Sequence, residues 1–237
     1  MKTIRYSDRV FPTQDFGSHL FKGNESFETC VADLLTRYCE AFDLPASEVE
    51  HPDHIGLEEM TTPPSQVALF NLLIQLSGAR RVLEIGTFVG KSTIILAKMV
   101  GPDGHVTAIE SVASFAEMAR NNFQRNNVAD RITLLEGDAG EVLNDLKGQV
   151  FDLVFVDGAK QSYLPFTLKA IEMLSEKGII VVDDVFFHGD AFNEPPTTEK
   201  GAGCKAVLDY FSQYDACKKM IVPSWNGTLL LYGFTKG

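Results

Sequence analysis

Residues 81–92 read RVLEIGTFVGKS. Val82, Leu83 and Ile85 form an apolar strand that runs through Glu84 into Gly86 and a turn closed by Gly90. A helix follows at once, from about residue 91 to 100, with Ser92, Thr93, Ile94, Ile95, Leu96 and Ala97 in its first turns. A strand, a glycine turn and a helix N-terminus together make a nucleotide-sized pocket at the edge of an α/β sheet.

The same alternation continues outward. Strands are expected at 105–110 (HVTAIE), 131–136 (RITLLE), 151–156 (FDLVFV) and 178–182 (GIIVV), with helices at 112–127, 139–147 and 162–174 between them. Such repetition builds a Rossmann-like, doubly wound, mostly parallel sheet with helices on both faces. The unbroken apolar character of FDLVFV and GIIVV suits strands covered on both sides. The end of the chain breaks the pattern. KKMIVPSW and TLLLYGF flank Asn226-Gly227, a type I′ signal, so an antiparallel hairpin is expected to close the sheet. Upstream, Pro63 and Pro64 open a helix that ends at Gly78. Residues 27–42 carry apolar positions at helical spacing, and Pro45, Pro52 and Gly56 then interrupt the chain. The expected organisation is therefore an N-terminal helical extension, 1–56, and one domain, 57–237. The turn-rich stretch 184–203 is expected to be a long loop, a candidate substrate lid.

Composition narrows the function. The chain has 237 residues, 45% hydrophobic, and a formal net charge of −11. That balance argues against non-specific binding to nucleic acid or an anionic membrane. The longest apolar runs are strand-sized, and MKTIRYSDRVFPTQDF holds no unbroken apolar region of a secretory signal. Cys30, Cys39, Cys204 and Cys217 show no CxxC spacing and read as reduced thiols. The expected setting is the cytoplasm.

The turn itself reads E-x-G-x-x-x-G. A dinucleotide fingerprint, G-x-G-x-x-G, keeps glycine where pyrophosphate approaches, whereas Thr87, Phe88 and Val89 fill that space here. The carboxylate of Glu84 repels phosphate and attracts an ammonium group and the field of a sulfonium; alternatively it is a buried capping acid. Glu110 ends the second strand, where an acid can accept both ribose hydroxyls. Asp138 follows the third strand, either as a helix N-cap or beside an adenine ring.

Three more acids stand at strand ends, Asp157 after the fourth strand and Asp183 and Asp184 after the fifth. Neighbouring strands lie about 4.8 Å apart, so these carboxylates gather at one edge and repel one another unless protonated or neutralised. All-oxygen ligands suit a hard divalent cation, Mg²⁺, Ca²⁺ or Mn²⁺. Such a cation, chelated by two vicinal oxygens, lowers a hydroxyl's pKa and aims the oxyanion. Lys160 lies three residues after Asp157; near a cation its pKa falls and it can act as a general base. Tyr163 and Phe187 are candidate walls for an aromatic substrate. His188 reads as an exposed histidine and Asn226 as a turn former.

Through MTTPPSQVALFNLL, VLEIGTFVGKS, AIE, EGDA, FVDGAKQSY, VVDDVFFHG and WNGTLLLY, the chain resembles the class I methyltransferases. More narrowly, it is similar to the cation-dependent O-methyltransferases of the caffeoyl-coenzyme A and catechol type. The resemblance implies S-adenosylmethionine as cofactor. It implies that Gly86 and Ser92 meet the methionine part, Glu110 the ribose and Ala139 the adenine. Met60, Thr61 and Thr62 would lie over the cofactor or substrate. It also assigns Asp157, Asp183 and Asp184 to the metal, Lys160 to the base, and a homodimer to the assembly, with Asp157 expected to serve catalysis and touch the cofactor as well. Two departures stand out: Asp184 replaces the family's usual Asn, and Phe187 stands where plant-type members carry Trp. The leading expectation is methyl transfer to a hydroxyl of a small catechol-like diol. The alternatives are a tRNA hydroxyuridine O-methyltransferase, a dinucleotide-dependent oxidoreductase and an inactive relative of the fold.

Overall fold

The structure is a computed structural model. The chain divides after Ala41, and the unit Phe42–Gly237 holds the sheet. The residues described are 44, 49–52, 62–223 and 226–235. The expected helix at 27–42, Cys30, Cys39, Met60 and Thr61 lie outside them.

In chain order the elements are α1 (Pro64–Ser77), β1 (Arg81–Ile85), α2 (Lys91–Val100), β2 (His105–Glu110), α3 (Ala113–Arg125), β3 (Ile132–Glu136), α4 (Ala139–Asp145), β4 (Phe151–Val156), α5 (Tyr163–Glu172), β5 (Leu174–Val182), α6 (Glu199–Ser212), β6 (Lys218–Val222) and β7 (Thr228–Tyr232). The strands form one sheet in the order β3-β2-β1-β4-β5-β7-β6. The first five are parallel, and β7 runs antiparallel to both neighbours. This is the doubly wound architecture expected. Chain order reverses between β1 and β4, so the crevice at their C-terminal ends is where such folds place ligands.

Register carries the consequence for function. Ile85 pairs with both Ile109 and Val156, and Val156 pairs with Val182. Four strands therefore end in phase. The next residue of each, Gly86, Glu110, Asp157 and Asp183, falls in one row along the sheet edge.

Strand alternation divides the core in two. Val82, Leu153, Phe155 and Val181 face Phe70, Ile74, Ile94 and Phe123, a layer that also buries Leu44 and Val49. Leu83, Ile85, Val154, Val156 and Val182 face Tyr163, Phe166, Cys204 and Phe211. Phe70 meets Phe155 edge to face, with centroids 4.7 Å apart. α1 begins at the second proline and ends at Gly78, which caps it in the left-handed conformation, as the sequence predicts.

Three expectations are corrected. The segment 184–203 is not one long loop: a short helical turn, Phe187–Phe192, is followed by α6 from Glu199. Gly201 and Gly203 mask the helical pattern in the sequence, although Cys204, Val207 and Phe211 keep its buried spacing. The terminal hairpin forms, but not through a two-residue type I′ turn. Val222 pairs with Thr228, which leaves residues 223–227 as the connection. Strand β5 is also longer than 178–182, because Leu174 already pairs with Phe151 ahead of a register shift.

The Phe70 contact gives a test. Phe70→Ala removes a ring from a closed layer and costs about 3–5 kcal/mol, whereas Leu76→Ala, at a residue of the same helix that is 78% exposed, changes stability by roughly 0.5 kcal/mol or less. Urea unfolding of both variants checks this; equal losses contradict the assignment of the α1 faces.

Candidate active site

The glycine turn is held from three sides. Gly86 N–H and Thr87 N–H donate to the carbonyl of Ile109 (3.0 and 3.1 Å). Phe88 N–H donates to Glu110 Oε2 (2.7 Å), and Val112 N–H to Glu110 Oε1 (2.9 Å). Asn122, completely buried on α3, donates from Nδ2 to the carbonyls of Val89 and Glu50 (2.9 Å each) and accepts Glu50 N–H (2.7 Å). Nothing in the sequence marks Asn122 except its being polar on an otherwise buried helical stripe. Gly86 has φ +97°, and a Cβ there would lie 2.5 Å from the carbonyl oxygen of Asp157. Only glycine lets β1 and β4 end this close together.

Glu84 stands under that turn with no exposed surface. Thr93 Oγ1 donates to its Oε2, while Oε1 has no hydrogen-bond partner among the described residues. Burial pushes its carboxyl from 4.5 up to about 7; the nearby Ser92 and Thr93 hydroxyls offset part of the rise, and the Glu110 charge adds to it. The Gln66 amide nitrogen and Thr87 hydroxyl are also buried and unpartnered among the described residues. A buried acid with an open acceptor oxygen is a place where a donor can be received.

Asp138 takes the capping role: Oδ1 accepts Gly140 N–H (2.8 Å) and Glu141 N–H (3.3 Å) at the start of α4. Ala139 is half-buried beside it. Thr62 is half-buried ahead of α1.

The expected acidic cluster is present. Oxygen atoms of Asp157, Asp183 and Asp184 lie within 4.8 Å of one another. Asp157 and Asp183 continue the row of strand ends, their N–H groups donating to the carbonyls of Ile85 (2.9 Å) and Val156 (3.0 Å). Asp183 Oδ1 also accepts the Thr228 hydroxyl (3.3 Å). Asp184 has φ +51°, a left-handed conformation that Asp and Asn tolerate and most residues do not. The backbone thus accepts Asp at a position where the resembling family carries Asn.

Lys160 answers the added charge. Its Nζ lies 3.0 Å from Asp184 Oδ2, 3.5 Å from Asp157 Oδ1 and 3.1 Å from the Tyr163 hydroxyl. Only 14% of the Lys160 side chain is exposed. Burial opposes its charge, but the Asp157 and Asp184 carboxylates outweigh that and hold the ammonium above its ordinary pKa. Burial, with the repulsion of the neighbouring acids, raises Asp157 and Asp183 above the usual carboxylate range. A third of the Asp157 side chain still meets solvent, which tempers its share.

Tyr163, expected as a substrate wall, is completely buried. Its hydroxyl accepts from Lys160 and donates to Asp157 Oδ1 (3.5 Å). Phe187 stays at the surface of the site, half-buried at φ +42°, with Lys200 Nζ 6.0 Å from its ring centre. Asn226 does more than turn the chain: its carbonyl and side-chain oxygen accept the N–H groups of Phe186 (2.7 Å) and His188 (3.2 Å), which ties the segment after Asp184 to the hairpin. His188 is exposed, as expected.

Residues 44–229 match the model of the O-methyltransferase family. The chain belongs to that family. A catechol O-methyltransferase of Mycobacterium tuberculosis is 39% identical over 149 residues, 63% of this chain and 68% of that enzyme. A caffeoyl-CoA O-methyltransferase of Populus kitakamiensis is 31% identical over 138 residues, 56% of this chain; the match spans 59% of the plant enzyme, less than two thirds of its length. Among solved structures, the O-methyltransferase TomG of Streptomyces achromogenes, in complex with SAM, superposes with a TM-score of 0.69 at 27% identity, over 93% of this chain and 95% of that one. The fold and the order of motifs in this O-methyltransferase agree with the family resemblance read from the sequence.

Glu84 supplies a pH test. Its folded pKa lies above its unfolded value, so its contribution is fully present below about pH 4.5 and is lost as the pH rises through about 7. Glu84→Gln removes that loss. Melting curves from pH 4 to 8 should show the variant gaining on the parent by up to about 3 kcal/mol at the alkaline end. Parallel pH profiles for the two proteins contradict the burial argument.

Proposed function

We propose that this protein transfers a methyl group from S-adenosylmethionine to one hydroxyl of a small catechol-like vicinal diol, with a divalent cation at Asp157, Asp183 and Asp184. The observation that carries the reading is the row of buried and half-buried acids beside the open Oε1 of Glu84: one end suits an ammonium group, the other a hard cation. The names of the mycobacterial and poplar relatives and the SAM complex of TomG support the same class of donor and acceptor.

In this reading Glu84 accepts the ammonium of the methionine part through Oε1, with Gly86 leaving room for it and Ser92 beside it at the head of α2. Glu110, already fixed by two backbone donors, takes the ribose hydroxyls. Asp138 holds α4 so that Ala139 lies by the adenine, and Met60 and Thr62 close over the cofactor. When bound, the cofactor supplies an electrophilic methyl group and the cation, Mg²⁺ or else Ca²⁺ or Mn²⁺, a Lewis-acid seat that lowers the pKa of a diol hydroxyl. Lys160, after its own proton has passed to solvent, takes the hydroxyl proton on Nζ. It does so only once the charges of Asp157 and Asp184, which hold its own proton, are answered within the cluster. Tyr163 keeps Nζ aimed at that site, and Phe187 offers an apolar wall to the ring. We assign methyl transfer to residues 57–237, and substrate and subunit contacts in a cytoplasmic homodimer to residues 1–56.

Labelled S-adenosylmethionine and a panel of catechols test this. Turnover is expected with Mg²⁺ and not in excess EDTA, and Asp157→Ala should lose about a hundred-fold or more. Lys160→Gln should lose about 10²- to 10⁴-fold, together with the rise of rate with pH that deprotonation of Nζ produces. Full turnover in EDTA removes the cation from the account, and an unchanged profile in Lys160→Gln removes the base. Light scattering that finds only monomer removes the homodimer.

A further inference from the structure

A single carboxylate organises the segment between Asp184 and α6. Asp190 accepts five hydrogen bonds. Its Oδ1 takes the Asn193 side-chain amide (2.9 Å), the Thr197 N–H (2.8 Å) and the Thr197 hydroxyl (2.7 Å). Its Oδ2 takes the Thr198 N–H (3.0 Å) and the Thr198 hydroxyl (2.7 Å). A carboxylate offers about four lone-pair positions, so this one turn uses its whole acceptor capacity. These donors, the Thr197 N–H foremost, hold Asp190 well below the usual carboxylate range.

The turn leads directly into α6. Thr198 is the helix N-cap, and its hydroxyl accepts the Gly201 N–H at 2.9 Å while donating to Asp190. A Cβ on Gly201 would overlap the Asp190 carboxylate. Two residues on, a Cβ on Gly203 would lie 2.5 Å from Gln161 Cα and closer still to the Lys160 carbonyl oxygen. Cys204 Sγ then donates to the Asp184 carbonyl at 3.5 Å. The first turns of α6 thus bear on the backbone that presents Lys160 and on the backbone that presents Asp184.

We infer that Asp190 is a positioning residue for methyl transfer: by fixing the cap and entry angle of α6, it sets the backbone of Lys160 and Asp184. The inference rests on the reading above in placing the proton transfer at Lys160. Glu84 and Glu110, the expected cofactor acids, stand on β1 and β2, so the two halves of the site separate in an experiment.

The full chain, Asp190→Ala and Asp190→Asn are compared by S-adenosylhomocysteine calorimetry, by steady-state turnover of catechol with Mg²⁺, and by hydrogen exchange at residues 160–163. In Asp190→Ala, S-adenosylhomocysteine affinity should stay within about two-fold of the parent, because Glu84 and Glu110 stand on other elements and share no partner with Asp190. Its kcat should fall by about ten- to a hundred-fold, because the reacting groups lose alignment. Amides 160–163 should exchange faster. Asp190→Asn keeps an acceptor for Thr197 but turns an N–H toward Thr198, and should recover part of the loss. Parental kcat in Asp190→Ala overturns the inference, and so does loss of S-adenosylhomocysteine affinity in step with kcat. If the parent leaves catechol unmethylated, the acceptor reading fails by itself; exchange at 160–163 then decides for Asp190, faster exchange supporting the inference and unchanged exchange refuting it.

Discussion

Burial of like charges along one edge of a parallel sheet is the constraint on which the rest of this structure depends. β1, β2, β4 and β5 end in phase, so Glu110, Asp157 and Asp183 stand on one row. Glu84 lies one residue back from it, and Asp184 one residue beyond. Burial raises the carboxyls of Glu84, Asp157 and Asp183, and the neighbouring acids add to the rise. Local groups answer part of that cost. Glu110 has two backbone donors, Glu84 has Thr93, and Asp157 and Asp184 share Lys160. The open Oε1 of Glu84 and the surplus of acid over base at Asp157, Asp183 and Asp184 are what remains. Perturbed acids gathered in this way cluster at functional sites.

The scaffold makes the cost bearable by being stiff. Aromatic and branched side chains fill both faces of the sheet up to its last residues, with Phe70 against Phe155 on one side and Tyr163 on the other. Tyr163 joins this packing to the chemistry, its ring within the core and its hydroxyl on Lys160 and Asp157. The connections that reach over the edge are pinned by polar groups: Asn122 at the glycine turn, Asn226 after Asp184, and Asp190 before α6.

What could be read from the sequence follows from the range of the interactions involved. The strands from 81 to 182 and the helices between them show as local periodicity, and the strand-end acids show because a parallel sheet places successive strand ends together. Gly86 and Glu84 are legible because the residues on either side define the turn. The roles of Asn122 and Asp190 are not, since each depends on partners brought in by the fold, Val89 and Glu50 for one and the cap of α6 for the other. α6 itself is hidden by Gly201 and Gly203, which lower helix propensity yet are required where the helix touches Asp190 and Lys160. Tyr163 reads as a substrate wall in QSYLPF, and its burial comes from the seating of α5 against the sheet. The five-residue connection around Asn226 is set by its hydrogen bonds to Phe186 and His188, which the hairpin pattern does not contain.

The central claim is that the carboxylates of Asp157, Asp183 and Asp184 exist in this arrangement to hold a divalent cation. Titration of the protein with Mn²⁺, followed by electron paramagnetic resonance, tests it without reference to any acceptor. The account predicts one bound ion per chain, displaced by Mg²⁺ and lost in Asp183→Ala with the fold retained. Absence of binding, or binding that survives Asp183→Ala unchanged, would contradict it.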